Sequence, residues 1–163
     1  MKLIAAVSKN WGIGKNGNLL FSIPTDMKFF RETTKGAAVI MGRKTLDSFP
    51  GGNPLKNRVN IVLTRDENFE REGVFVCRTK EEALEKAAGY ENVFVIGGEA
   101  IYSMFAEDCT EAYITKVDEA ADADKFLKNF DEDPGWKLQK ESEPVVENGH
   151  KFTFCTYVKS NSI

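Results

Sequence analysis

Two stretches constrain the fold of this 163-residue chain more than any other: Val39-Ile40-Met41-Gly42-Arg43-Lys44-Thr45 and Val93-Phe94-Val95-Ile96-Gly97-Gly98-Glu99-Ala100-Ile101-Tyr102. In each, a run of β-branched and apolar residues meets glycine and then a segment able to start a helix. A run apolar on both faces suits a strand in the centre of an α/β sheet. Glycine at its end lets a ligand come close to the backbone. The free N–H groups and positive dipole end of a helix opening there suit phosphate. Ligands of open α/β sheets bind beyond the carboxyl ends of the strands. Two copies of the pattern therefore point to one ligand lying across two strand ends, although two ordinary βα units would read the same way.

The rest of the chain extends the pattern. Strands are expected at residues 3–7, 38–41, 59–63, 74–77, 93–96, 112–117, 136–140 and 151–158, and helices at 24–32, 44–48, 80–87 and 99–105. Pro24 suits the first position of the first helix, and Thr79 followed by Glu82 makes a capping box for the third. Asn148-Gly149 is a turn signal before the last strand, whose Phe152 and Phe154 share a face, so the last two strands are expected to form an antiparallel hairpin. The expected fold is α/β. One domain over residues 1–163 holds a twisted, mostly parallel eight-stranded sheet with an antiparallel C-terminal edge strand and helices on both faces. The acidic segment 118–133 reads as a solvated surface loop.

Composition excludes several classes. Hydrophobic residues at 42% and charged residues at 29% allow an ordinary core without staples. A net charge of −3 leaves no nucleic-acid footprint, so an anion site has to be built locally. No apolar run reaches membrane-spanning length. The run Leu3–Val7 is too short for a signal peptide and reads as a first strand. Cys77, Cys109 and Cys155 lack CxxC spacing and read as free cysteines in a reducing cytoplasm. No metal motif or nucleophile elbow is present. The one histidine, His150, reads as a surface turn residue. The hard chemistry then has to come from a bound cofactor.

Gly12-Ile13-Gly14-Lys15-Asn16-Gly17 matches the dinucleotide pattern G-x-G-x-x-G literally. That motif requires a helix opening within it, and Pro24 stops one from continuing through the sequel. The segment is better read as a flexible loop over a site. Asp26, near the start of the first helix, shares a face with Phe30 and lies close to Ile23 and Met27. It is either a solvated acid near the positive helix end or an isolated carboxylate at a pocket floor, its pKa raised by desolvation and ready to hold an amidine-like group. Cations stand at three strand ends: Arg43-Lys44, Thr64-Arg65 and Arg78-Thr79. Together they suit the extra phosphate of NADP rather than NAD.

At Leu3-Ile4-Ala5-Ala6, Ile13–Gly17, Ile23-Pro24-Thr25-Asp26-Met27-Lys28-Phe29-Phe30, Val39–Thr45, Arg58–Arg65 and Val95–Gly98 the chain resembles the dihydrofolate reductase family, bacterial type, over nearly its full length. The resemblance implies NADPH-dependent reduction of 7,8-dihydrofolate to tetrahydrofolate by a cytoplasmic monomer open to antifolate inhibitors, with no metal, nucleic-acid or membrane partner. Asp26 would hold the pterin's ring nitrogen and amino group, supported by Thr115, with Phe21 beside them. Ile4, Ala5, Met27, Phe30, Phe49, Leu55 and Ile96 would line the substrate groove, and Arg58 would clamp the glutamate α-carboxylate. Ala6, Ile13, Asn18 and Leu19 would surround the nicotinamide. Gly42, Arg43, Lys44, Thr45, Leu63, Thr64, Arg65 and Arg78 would hold the adenosine and its phosphates. Gly97-Gly98 would form a cis link, followed by Glu99, Ala100, Ile101 and Tyr102, with Ile96 shared between both ligands.

The chain departs from that family in places. Leu20-Phe21 stands where Pro-Trp is usual, so an indole N–H is lost near the pterin. Asp124 matches an acid of a second mobile loop, but Lys125 and Lys128 replace threonine and proline. Two other readings stay open. One is a pyrimidine reductase of riboflavin synthesis, against which Asp26 with Phe30, and Arg58, argue. The other is an NADP- or folate-binding module without turnover.

Overall fold

The computed structural model describes residues 1–160. Its strands are β1 (Lys2–Val7), β2 (Gly12–Lys15), β3 (Asn18–Leu19), β4 (Ala38–Gly42), β5 (Val59–Leu63), β6 (Val74–Cys77), β7 (Val93–Gly97), β8 (Glu111–Val117), β9 (Lys125–Phe126), β10 (Trp136–Glu141), β11 (Val145–Glu147) and β12 (His150–Lys159). The helices are α1 (Pro24–Thr34), α2 (Arg43–Asp47), α3 (Lys80–Ala87) and α4 (Glu99–Phe105), with two short 3-10 turns.

Eight strands run in the order β10-β12-β8-β1-β7-β4-β5-β6, with β11 attached to β12. These are the eight strands expected from sequence. The strands from β8 to β6 are parallel, while β12 is antiparallel to both β8 and β10. The antiparallel strand is therefore one place in from the edge, and β10 is outermost. The reason is β11, which makes the Asn148-Gly149 hairpin with β12 and leaves β10 to pair along the rest of that strand. Asn148 and Gly149 have φ of 51° and 80°, as a type I′ turn demands.

Period-two alternation splits the buried strand residues between two faces. Leu3, Val7, Ala38, Ile40, Val93 and Val95 pack with Ala83 and Ala87 of α3 and Ile101, Tyr102 and Phe105 of α4. Ile4, Val39, Met41, Phe94 and Ile96 face the other way, against Leu46 of α2 and Phe29 and Phe30 of α1. Both faces are covered, which is why the central runs are apolar throughout.

The acidic segment 118–133 is not a plain loop. Lys125–Phe126 pairs with β2, which also pairs with β3, to give a second, three-stranded sheet. Leu127 and Phe130 anchor the segment by burying in the core. The literal G-x-G-x-x-G is the β2–β3 hairpin, turning at Asn16-Gly17 with φ of 52° and 81°. No helix opens in it.

Candidate active site

After β4 the chain moves outward to β5, and after β7 it crosses to β8 on the opposite side. The boundary between β4 and β7 is thus a switch point, where the two helices diverge and leave a crevice beyond the strand ends. Gly42 and Gly97, the glycines of the two opening motifs, end these two strands. Each is covered by the helix that follows the other. A Cβ on Gly42 would meet Ile101 Cγ1 at 3.2 Å, and one on Gly97 would meet Thr45 Oγ1 and the Tyr102 hydroxyl, both at 3.5 Å. Gly97 has φ of +129°, a conformation strained for any side chain, and its bond to Gly98 is cis. The missing Cβ atoms let α2 and α4 close down onto these two strand ends.

Asp26 enters from α1. It sits on the first helical turn, on the Ile4 face of the sheet, and accepts a 2.6 Å hydrogen bond from Thr115 Oγ1 of β8. Thr115 is buried and lies opposite Ala6 of β1. Burial pushes the Asp26 carboxyl above the usual aspartate value, and the Thr115 hydroxyl opposes that rise. Tyr102 is buried on α4, and its hydroxyl donates to the Ile4 carbonyl at 2.7 Å. Its pKa is raised by desolvation and by the nearby Asp26 charge. Thr115 thus holds one oxygen of a desolvated carboxylate, and among the described residues no hydrogen bond takes the other.

The apolar residues expected around it come together in large part. Ile4 and Ile96 belong to a cluster against which Phe30, Phe49 and Leu55 pack. Met27 does not join them. It is 48% exposed, with its sulfur accepting from the Ser22 hydroxyl at 3.6 Å. Phe21 lies in a separate cluster with Ile23, Val117 and Phe152, its ring edge-on to His150 at 5.7 Å. His150 is not a bare turn residue, because its Nδ1 pairs with Glu119.

Arg58 follows the loop that carries Leu55. Its Nε donates to the Lys56 carbonyl at 2.9 Å and its Nη1 to Thr34 Oγ1 at 3.2 Å. Burial, and then Arg31, lower its pKa. Among the described residues no carboxylate pairs with it. Asn60 holds this loop. Buried in β5, it accepts from the Leu55 N–H at 3.0 Å and donates to the Leu55 and Arg58 carbonyls at 2.9 and 3.2 Å. The signal for Asn60 was a polar residue inside the apolar run Val59-Asn60-Ile61-Val62-Leu63, since a buried amide needs partners.

The cation row is also assembled. Gly42 lies opposite Leu63, and Leu63 opposite Cys77, so Arg43-Lys44, Thr64-Arg65 and Arg78 follow three neighbouring strand ends. Lys44 and Arg65 are exposed and form no ion pair among the described residues. Arg78 Nη2 donates to the Glu67 carbonyl, while its buried Nη1 has no partner among the described residues. Arg43 is different. Its Nη1 pairs with Asp66 at 2.7 Å, its Nε with Asp47 at 3.6 Å, and its guanidinium stacks over Phe69.

Ala5 and Ala6 are half-buried on β1, while Ile13 and Leu63 are buried in the core. Asn18 and Leu19 project from the β2–β3 hairpin, with Leu19 81% exposed. Glu99 accepts from the Phe126 N–H at 2.7 Å and so ties α4 to β9. Ala100 is exposed one residue later. Asp124 accepts from the Asn16 N–H at 3.0 Å and donates its own N–H to Gly14, joining that segment to the hairpin despite Lys125 and Lys128.

The helix carrying Asp26 has one more partner that sequence reasoning missed. Its N-cap, Ile23, offers no side-chain acceptor. Glu147 reaches in instead, with Oε1 accepting from the Thr25 N–H and Oε2 from the Thr25 hydroxyl, both at 2.8 Å. No local pattern announces a cap 122 residues away.

Known proteins share this arrangement. The family model for dihydrofolate reductase matches residues 1–159. A bifunctional dihydrofolate reductase-thymidylate synthase of Daucus carota is 40% identical over 97% of this chain, which spans only 33% of that longer protein. A dihydrofolate reductase of Bacillus subtilis is 34% identical, with 99% of this chain and 96% of the relative covered. The solved dihydrofolate reductase from Enterococcus faecalis, complexed with NADP(H) and RAB-propyl, superposes with a TM-score of 0.88 at 33% identity, covering 98% of this chain and 96% of that one. A switch-point crevice, a desolvated acid and agreement over the full fold lead to one conclusion: the chain belongs to the dihydrofolate reductase family.

Proposed function

We propose that this chain, folded as one domain, reduces 7,8-dihydrofolate to 5,6,7,8-tetrahydrofolate with NADPH. The observation that carries this reading is Asp26: a carboxylate lifted by burial, held on one oxygen by Thr115, one helical turn from the Phe30 that packs with Ile4, Ile96, Phe49 and Leu55. Such an acid accepts two parallel hydrogen bonds from a ring N–H and its exocyclic amino group, the amidine-like edge of a pterin. Phe30, Phe49 and Leu55 enclose the remainder of the substrate. Arg58, partly desolvated and without a counter-ion among the described residues, takes the glutamate α-carboxylate in a bidentate pair that lysine could not copy.

The residues present also fit the cofactor. The Nη1 of Arg78, buried and without a partner among the described residues, lies along one edge with Lys44 and Arg65, suiting phosphate. Thr45 and Thr64 add hydroxyls there. NADPH, when bound, supplies the hydride that goes to pterin C6. N5 must gain one proton to complete the two-electron reduction. Asp26 binds the far edge of the pterin, so water carries that proton to N5, while the carboxylate tunes the ring electrostatically. Tyr102 fixes the Ile4 carbonyl and so ties α4 to β1 beside these strand ends.

The protein acts as a monomer in the cytoplasm, a reading supported by three buried free cysteines. Among the described residues no helix is long and apolar enough to cross a membrane. Antifolates with a protonated diaminopyrimidine edge compete for Asp26. The deciding experiment is the loss of NADPH near-ultraviolet absorbance on adding dihydrofolate. A steady, dihydrofolate-dependent loss is expected. Binding of both ligands without any loss would leave a non-catalytic binding module.

A further inference from the structure

The first turn of α1 is unusual in what holds it. An N-cap residue normally supplies a side-chain oxygen to the free N–H groups of the first turn. Ile23 has none, and it is buried, so water does not replace it. Pro24 has no N–H to satisfy. The first intrahelical bond is from the Met27 N–H to the Ile23 carbonyl. Thr25 therefore carries a free helix N–H, and it is the residue immediately before Asp26.

Glu147 satisfies it. The residue ends β11, directly before the tight Asn148-Gly149 turn, and the register of Glu147 opposite His150 leaves little freedom in where the carboxylate points. Its two oxygens take the N–H and the hydroxyl of one threonine, a two-point contact that fixes direction as well as distance. The anion also sits at the positive end of the helix dipole. We infer that Glu147 is a positioning residue for Asp26: a cap supplied from the β11–β12 hairpin that holds the first turn of α1 in the conformation presenting the carboxylate to substrate. This rests on the reading of Asp26 as the substrate-binding acid.

Without the cap, the first turn frays in the free protein and dihydrofolate has to reorder it on binding. Losing a cap weakens a helix end enough to raise the dihydrofolate KM roughly 2- to 30-fold. The cofactor groove along β4, β5 and β6 does not touch this turn, so the NADPH KM stays put. Glu147→Gln preserves both contacts, since its carbonyl accepts from the Thr25 N–H and its amide donates to the hydroxyl.

The test measures both KM values for Glu147→Ala, Glu147→Gln and Thr25→Val, with hydrogen exchange at the Thr25 amide in the ligand-free proteins. Expected are a raised dihydrofolate KM with an unchanged NADPH KM in Glu147→Ala, faster Thr25 exchange, and return to near wild-type values in Glu147→Gln. Thr25→Val loses only the hydroxyl contact and shows a smaller effect in the same direction, which keeps the test open if Glu147→Ala does not fold. Unchanged Thr25 exchange, or a parallel rise of both KM values, overturns the inference. Exchange is read without substrate, so its failure is distinct from failure of the Asp26 reading, which would show as unaltered dihydrofolate binding in Asp26→Asn.

Discussion

Replacing Asp26 with asparagine should separate stability from function. Two opposing effects act on the carboxylate. Desolvation penalises its charge, and the 2.6 Å bond from Thr115 rewards it. The net direction is upward, so the penalty is the larger. A group whose folded pKa lies above its unfolded value binds more protons in the native state through the interval between the two. Stability therefore falls as pH rises through that interval and stays lower above it. Asparagine removes the charge but keeps an oxygen for the Thr115 hydroxyl. Trading a charge-assisted bond for a neutral one loses about 1 kcal/mol, and relief of desolvation exceeds that loss. The variant is therefore the more stable at neutral pH, with each kcal/mol gained raising Tm by about 2–4 °C in a chain of this length, while turnover falls sharply. Urea unfolding of both proteins from neutral pH down to the ordinary carboxylate value of 3.8 tests the argument. The stability gap should narrow as pH falls, because the wild-type acid becomes protonated and resembles the amide. A variant less stable at neutral pH, or a gap that does not change with pH, refutes the reasoning. So does near-normal turnover.

Other substitutions probe the remaining parts. Arg58→Lys should weaken dihydrofolate binding by about 1.5–3 kcal/mol, and the loss should vanish with a pterin substrate that lacks the glutamate tail. Asn60→Ala leaves the Leu55 N–H and the loop carbonyls without their buried partner and should cost about 1–3 kcal/mol of stability, read by denaturant unfolding, together with a higher dihydrofolate KM. Arg78→Ala should reduce the preference for NADPH over NADH, measured as the ratio of kcat/KM values. An unchanged ratio would remove Arg78 from phosphate recognition. Asp66→Asn frees Arg43 from its ion pair and should tighten NADPH binding and steepen its dependence on salt, with NADH binding unaffected.

What the sequence revealed, and what it hid, follows a physical division. The central strands β1, β4, β5 and β7 were legible because burial on both faces writes itself as largely apolar runs, and β12 through its partial alternation after the Asn148-Gly149 turn. α3 and α4 were legible to the residue because Thr79 and the Gly97-Gly98 pair mark their starts. The cation row was legible because neighbouring strands of a parallel sheet end together. The three-stranded sheet was missed because its outer strands β3 and β9 are two exposed residues each, and two-residue pairings leave no periodicity to read. The place of β12 was misjudged because a hairpin signal names a turn, not the partner on the strand's other side. Arg43 looked like a free cation because its partner Asp66 belongs to the turn after β5, and long-range ion pairs leave no pattern in sequence. Glu147 was hidden for the same reason.

The position of β1 has a consequence for how the molecule assembles. Lys2 lies opposite Phe94 of β7 on one side and Glu111 of β8 on the other. Both neighbours come from the far half of the chain, so on the ribosome β1 emerges long before either partner exists. Its apolar residues wait unpaired while β4, β5 and β6 can already associate with one another. Closing the sheet around it is a late event of high contact order, slow by comparison with local pairing. Until then the strand presents two bare edges to other nascent chains. The strand made first thus waits longest for its neighbours, and chaperone dependence during synthesis should track the stretch between β1 and β8 rather than the size of the protein.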